Sequence, residues 1–259
     1  MAITLRSPRE IELMRQAGAV VADVLLKLKE NSRPGVTTAF LDNIAIKLTK
    51  EAGAEALFKG VRSPVSKIPF PGAICTSINE QLVHGIPSDK VRLKEGDILS
   101  IDFGVRHNGY CGDSAITIAI GNISNEKQRL MDITKCILDL AIEKAAPGIK
   151  WSQIASQMQQ KAESAGFSVV RDFVGHGIGR NMHEDPKVPN FVSRELLAND
   201  IILTEGMVIA VEPMVNAGSY AVKTLKNGWT VVTKDNKCSA HFEHTIAIRN
   251  GVAEILTKL

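Results

Sequence analysis

Two apolar runs in this chain end on a carboxylate: LKEGDILSID closes at Asp102, and LTEGMVIAVE closes at Glu212, 110 positions later. A strand sends successive side chains to opposite faces, so Ile98, Ser100 and Asp102 share one face, as Val208, Ala210 and Glu212 do. An acid buried at the end of such a run without a partner costs roughly 3–5 kcal/mol, which predicts something cationic beside each. The strand through Asp102 runs on to Asn108-Gly109, a dipeptide that favours a tight type I′ hairpin. With those two residues as the loop, Asp113 faces Gly104 and becomes a diagonal neighbour of Asp102, about 7–8 Å away along the backbone. The second run repeats the arrangement, because Glu243 lies an even number of positions before Thr245 of TIAI, as Asp113 does before Thr117 of the earlier TIAI. Each half therefore offers a carboxylate pair on one sheet face. His176, in VGHGIGR, adds an imidazole, and Gly175, Gly177 and Gly179 strip side chains from around it, allowing open access and close backbone approach.

Four carboxylates and one imidazole form a hard, oxygen-rich donor set suited to two divalent ions about 3.5–4 Å apart, as in two-metal hydrolytic sites. A single structural zinc would favour cysteines. Taken singly, each acid also reads as a strand-end surface group, and His176 as a satisfied turn histidine. Five such positions in repeat-related surroundings favour the metal site.

The elements that must position these residues are legible as a duplicated scaffold. PGVTTAFLDNIAIKLTKEAGA from Pro34 aligns with PGIKWSQIASQMQQKAESAGF from Pro147, and each reads as one helix between a turn and a glycine stop. HGI recurs at His84 and His176. Chance similarity of amphipathic segments is the alternative, but the order of the shared pieces is preserved. We therefore expect a single catalytic domain over 1–259 with an internal pseudo-repeat, about 1–122 and 123–259. Ser7-Pro8-Arg9-Glu10 is a capping box opening a first helix, with Ile11, Met14, Val21, Leu25 and Leu28 at helical intervals. A second helix runs from about Thr38 to Ala52, AICTSIN is a strand candidate, and Ser124 caps a third helix with Leu130, Ile133, Ile137 and Ala141 on one face. Beyond Gly166 the pattern turns to short β-rich runs.

Composition narrows the function classes. A chain of 259 residues, 44% hydrophobic, can bury a large core, and a formal net charge of +3 without basic runs interleaved with aromatics gives no nucleic-acid footprint. Weak contact with the ribosome stays open. Cys75, Cys111, Cys136 and Cys238 show no CxxC spacing, so free thiols in a reducing compartment are expected. The opening residues carry charge at once and lack an apolar signal core, which predicts a cytoplasmic, soluble protein.

Six segments, FPGAICTSINEQLVHGIP (70–87), GDILSIDFG (96–104), GYCGDSA (109–115), GHGIGRNMHEDP (175–186), VEPMV (211–215) and FEHT (242–245), resemble the type I methionine aminopeptidases over nearly the whole chain. The resemblance implies the pita-bread fold, an α/β (α+β) architecture of two pseudo-symmetric halves with helices packed on a curved, mainly antiparallel sheet. It implies a dinuclear centre of Co, Mn, Fe or Zn. Asp102 would chelate one ion, Asp113 and Glu243 would bridge both, and His176 and Glu212 would complete the other.

The activity it implies is removal of the initiator methionine from nascent polypeptides with a small second residue, by a monomer. A water shared by the two ions would supply the hydroxide that attacks the first peptide carbonyl. His183 would stabilise the oxyanion, Glu212 would shuttle the proton, and His84 would hold the substrate near its amino end. By the same resemblance Phe70, Cys75, Met182 and Trp229 line the methionine pocket, although Cys75 alone reads as a packed hydrophobe and Trp229 as core. Two departures stand out. Val61 through Pro69 form a longer loop than the family pattern, without its tyrosine, and His241 replaces a common glutamine, two residues from Glu243 and so expected on the same strand face. Proline-cleaving relatives of this fold share the metal ligands but carry an additional amino-terminal domain.

Overall fold

A computed structural model describes residues 3–258. Ser7 accepts a hydrogen bond from the Glu10 N–H and Glu10 reaches back to the Ser7 N–H, so helix α1 (Pro8–Asn31) starts at the expected capping box. Its stripe of Ile11, Met14, Val21, Leu25 and Leu28 is buried. Helix α2 (Thr38–Glu51) is capped by Thr37. The chain then forms strands β1 (Glu55–Ala56), β2 (Cys75–Ile78) and β3 (Gln81–Val83), followed by the long hairpin of β4 (Ile98–His107) and β5 (Tyr110–Ala119). Helix α3 (Asn125–Lys144) begins on Ser124 as its pattern predicts, and α4 (Trp151–Ser164) follows. Next come β6 (Ser168–Val169), β7 (Gly175–Gly177), β8 (Glu184–Val188) and a short helix the sequence reading did not resolve, α5 (Arg194–Ala198). The remainder is β: β9 (Val208–Val211), β10 (Met214–Asn216), β11 (Val222–Thr224), β12 (Val231–Thr233), β13 (Ser239–His241), β14 (Glu243–Ile248) and β15 (Ala253–Ile255).

One antiparallel sheet has the order β1-β4-β5-β14-β9-β7-β8, with β2 also on β4 and β15 on β14. Two small sheets, β13-β10-β6 and β11-β12-β3, flank it. Alternation divides the labour of the large sheet. Leu99, Ile101, Phe103 and Val105 of β4 pack under α1 and α2, while Ile209, Val211, Ile246 and Ile248 pack with α3 and α4. The opposite parity, which carries Asp102, Asp113, Glu212 and Glu243, is thereby left to face away from the helices.

The two segments that align in sequence share backbone detail. The helices α2 and α4 are both 14 residues long. Before them, the Gly35 N–H donates to the Leu93 carbonyl and the Gly148 N–H to the Leu203 carbonyl, each at 2.8 Å. The Glu-Gly turns that open the acid-bearing strands are also matched. Gly96 and Gly206 take φ values of 88° and 90°, a region where a side chain is strained, and their N–H groups bond Ile120 and Ile248, each at 2.9 Å.

Candidate metal centre

Strand register brings the predicted ligands into one transverse band. The hairpin turns on Asn108-Gly109, so Asp102 pairs with Ala115 and Gly104 with Asp113. Ala115, on β5, then pairs with Glu243 on β14. Farther along the sheet, Thr245 pairs with Ala210 and Ala210 with His176, while Glu212 lies two residues beyond Ala210, on its face of the strand. Cys75, on β2, pairs with Asp102 at the opposite end of the band.

Ligand atoms of Asp113, His176 and Glu243 lie within 4.8 Å of one another, and all three residues are buried. His176 Nε2 is 3.8 Å from Asp113 Oδ2 and 3.5 Å from Glu212 Oε1. Burial pushes Asp113 up to about 7. It drives Asp102, Glu212 and Glu243 well above the usual carboxylate range, with mutual repulsion, Asp113 foremost, adding to the shift. Asp102 and Glu212 keep partial exposure, and both line the cavity. Asp113 Oδ1 and Glu243 Oε1 are buried without a hydrogen-bond partner. Four crowded carboxylates with orphaned oxygens are a poor arrangement for a protein alone and a good one for divalent cations, so the residues present fit the implied metal.

The imidazole is prepared for the same task. Its Nδ1–H donates to the Gly177 carbonyl at 2.9 Å, which fixes the tautomer and leaves Nε2 as the free donor atom facing the acids. Burial, with the neighbouring His183, holds the His176 pKa down to about 4, so the ring is neutral and no ion pair with Asp113 or Glu212 forms. The flanking glycines permit the close backbone approach expected of them. A Cβ on Gly175 would lie 2.3 Å from the Ala210 carbonyl oxygen, and one on Gly177 would lie 2.1 Å from that of Asp185. They let β7 press against its neighbours.

Beside this cluster a cavity of about 140 Å³ is lined by every residue named from the sequence: Phe70, Cys75, His84, Asp102, Asp113, His176, Met182, His183, Glu212, Trp229 and Glu243. Phe70 and Trp229 meet edge to face with ring centroids 5.2 Å apart, and His84 stands edge-on to Trp229 at 6.4 Å. Burial, assisted by His183, lowers His84 to about 4, and burial lowers His183 as well, so both rings are neutral. The His183 ring lies 4.4 Å from that of His176 between centroids. The loop Val61–Pro69 is pinned rather than loose: Trp229 Nε1–H donates to the Ile68 carbonyl at 3.0 Å, and Ser66 Oγ contacts the Ile68 and Asn227 carbonyls.

Sequence reasoning missed Phe58, Val61, Val83, Phe173 and Met214 in the cavity wall. Phe58 and Val61 sit three residues apart, Val83 and Met214 lie inside the motifs at 70–87 and 211–215 as apolar positions with no chemistry of their own, and Phe173 stands outside any motif, so only packing identifies them as cavity wall. The expectation for His241 needs correction. His241 ends β13 and Glu243 begins β14, strands of different sheets separated by Phe242, yet both side chains line the same cavity. The expected free thiols are present at all four cysteines.

A curled antiparallel sheet presenting a buried carboxylate–imidazole cluster to an apolar recess defines a metal-dependent hydrolase. The Metallopeptidase family M24 profile matches residues 12–250. The methionine aminopeptidase of Clostridium perfringens is 49% identical, covering 98% of both chains, and methionine aminopeptidase 1 of Bacillus subtilis is 47% identical over 99% of this chain and 100% of its own. The crystal structure of methionine aminopeptidase from Thermotoga maritima superposes with a TM-score of 0.93 at 38% identity, covering 100% of each chain. The chain belongs to the methionine aminopeptidases of metallopeptidase family M24 and has their pita-bread fold.

Proposed function

We propose that this protein removes the initiator methionine from nascent polypeptides whose second residue is small, using two divalent ions held by five side chains. The observation that carries the reading is the meeting, in one cavity, of the buried acid–imidazole cluster with a recess walled by Phe70, Cys75, Met182 and Trp229. In this reading Asp102, Asp113, His176, Glu212 and Glu243 would hold the ions, with Asp113 and Glu243 serving both. Ions held there would supply the acidity that readies a water and the polarisation of the scissile carbonyl.

The chain's own groups do the rest. The recess takes an unbranched thioether side chain among aromatic and sulfur surfaces, which fixes the terminal residue. Neutral His183 donates a hydrogen bond to the carbonyl oxygen as charge builds on it, and neutral His84 holds the amino end or first peptide nitrogen. Glu212 carries the proton from the attacking water towards the leaving amine. The buried walls exclude bulk water, which strengthens each of these interactions.

We read residues 1–259 as one catalytic unit built from two copies, about 1–122 and 123–259, a reading supported by the matched helices and turns. The cytoplasm is the compartment this reading assigns, in keeping with four free thiols and with the fact that no helix among the described residues is long and apolar enough to cross a membrane. The test is to incubate metal-stripped protein with Met-Ala-Ser or Leu-Ala-Ser, restore Co, Mn, Fe or Zn separately, and quantify the amino acid released. Metal-dependent release of methionine and not leucine is expected; equal release of both, or release without added metal, overturns the reading.

A further inference from the structure

His241 stands in the second half where Asp113 stands in the first. Asp113 precedes Thr117 by four residues and His241, at the end of β13, precedes Thr245 of β14 by four, and β5 and β14 pair through Ala115 and Glu243. On either side of that pair a threonine hydroxyl takes the place of the backbone ladder. Thr245 Oγ1 accepts from the Asp113 N–H at 3.1 Å and donates to the Asp113 carbonyl at 2.8 Å. Thr117 Oγ1 accepts from the His241 N–H at 2.9 Å and donates to the His241 carbonyl at 2.7 Å. The same clamp, applied reciprocally by each half to the other, presents Asp113 and His241 to one cavity.

The ring it presents is unfinished. His241 is 2% exposed, and neither ring nitrogen has a hydrogen-bond partner. A buried N–H with no acceptor costs about 1–3 kcal/mol. The facing acceptor is Glu243, whose Oε2 lies 3.9 Å from His241 Nε2 and whose Oε1 is itself unpartnered. A side-chain movement of about 1 Å closes that gap to hydrogen-bonding distance.

We propose that His241 is a positioning residue for Glu243: its Nε2–H donates to the Glu243 carboxylate and fixes the orientation in which that carboxylate meets the metal ions. The inference rests on the metal-centre reading above. The ring stays neutral and no proton is transferred; the effect is that of an outer hydrogen bond on a metal-binding carboxylate, and losing such a bond weakens metal affinity about 10–100-fold. A glutamine amide can supply the same donor, and a leucine cannot.

The experiment is calorimetric titration of metal-stripped wild type, H241L, H241Q and D113A with Mn²⁺, followed by kinetics on Met-Ala-Ser at saturating metal. H241L is expected to bind the ion about 10–100-fold more weakly and to lose kcat with KM unchanged, and H241Q is expected to return both towards wild type. H241F, which keeps a planar ring without the donor, replaces H241L if that variant does not fold. Unchanged metal affinity in the donorless variant, a change confined to KM, or failure of H241Q to restore binding overturns the proposal. D113A separates it from the reading beneath it: metal loss in D113A with normal binding in H241L sinks only the role of His241, whereas retention of both ions in D113A sinks the metal centre itself.

Discussion

Replacing Asp113 with asparagine should stabilise the metal-free protein while removing its response to metal. Asp113 is 3% exposed, its Oδ1 lacks a partner, and three further carboxylates face it. Burial raises it from its ordinary 3.8 to about 7, so the folded state favours the protonated form. The stability from that protonated form is fully present below pH 3.8 and is lost as pH rises through about 7. At 1.36 kcal/mol per pH unit, ionising Asp113 in the fold costs about 4 kcal/mol at pH 8. Asparagine keeps the shape without the charge, at the expense of about 1–3 kcal/mol for an amide left partly unsatisfied. The net expectation is a variant more stable than wild type by about 1–3 kcal/mol at pH 8, a rise in Tm of several degrees at roughly 2–4 °C per kcal/mol. At pH 5 the advantage should disappear. Thermal unfolding of chelator-treated proteins at the two pH values measures this directly. Added Mn²⁺ at a hundredfold excess over Kd should then stabilise wild type by about 2.7 kcal/mol and leave the variant unmoved. A variant that is less stable at pH 8, that follows the wild-type pH dependence, or that gains equally from metal would refute the account of four carboxylates crowded around a cation site.

Two other outcomes follow from the same geometry. Thr245→Val deletes both hydrogen bonds to the Asp113 backbone and should lower stability by about 1–3 kcal/mol in urea unfolding, with Thr245→Ser restoring most of it because the hydroxyl is what matters. Cys75 is buried, and burial together with Asp102 and Asp113 pushes its thiol well up, so iodoacetamide at pH 8 should leave it unlabelled in the folded protein and label it after unfolding, as read by mass spectrometry.

Much of the site was written in short-range features. The Asn-Gly turn set the hairpin register that puts Asp113 opposite Gly104, and the Ser7 and Ser124 caps started α1 and α3 where the side-chain pattern placed them. The Glu-Gly turns fixed the glycines at positive φ from which both acid-bearing strands depart. The close backbone approach expected at Gly175 and Gly177 is present, but which backbones approach, the Ala210 and Asp185 carbonyls on other strands, lies outside any local stretch. The break between His241 and Glu243 escaped notice because alternation describes one continuous strand and gives no sign of a change of sheet.

The amino-acid sequence by itself determined which residues alternate onto one face, where the tight turns and caps fall, and which acids end apolar runs, because these depend on the sterics and hydrogen bonding of neighbours a few positions apart. The tertiary structure alone decided that His176 comes beside Ala210 and so near Glu212, that Phe58, Val61, Val83, Phe173 and Met214 close the cavity, and that Thr117 and Thr245 reach across to the His241 and Asp113 backbones. Those meetings join segments far apart in the chain. Their distances follow from strand register and close packing, which no local stretch of sequence contains.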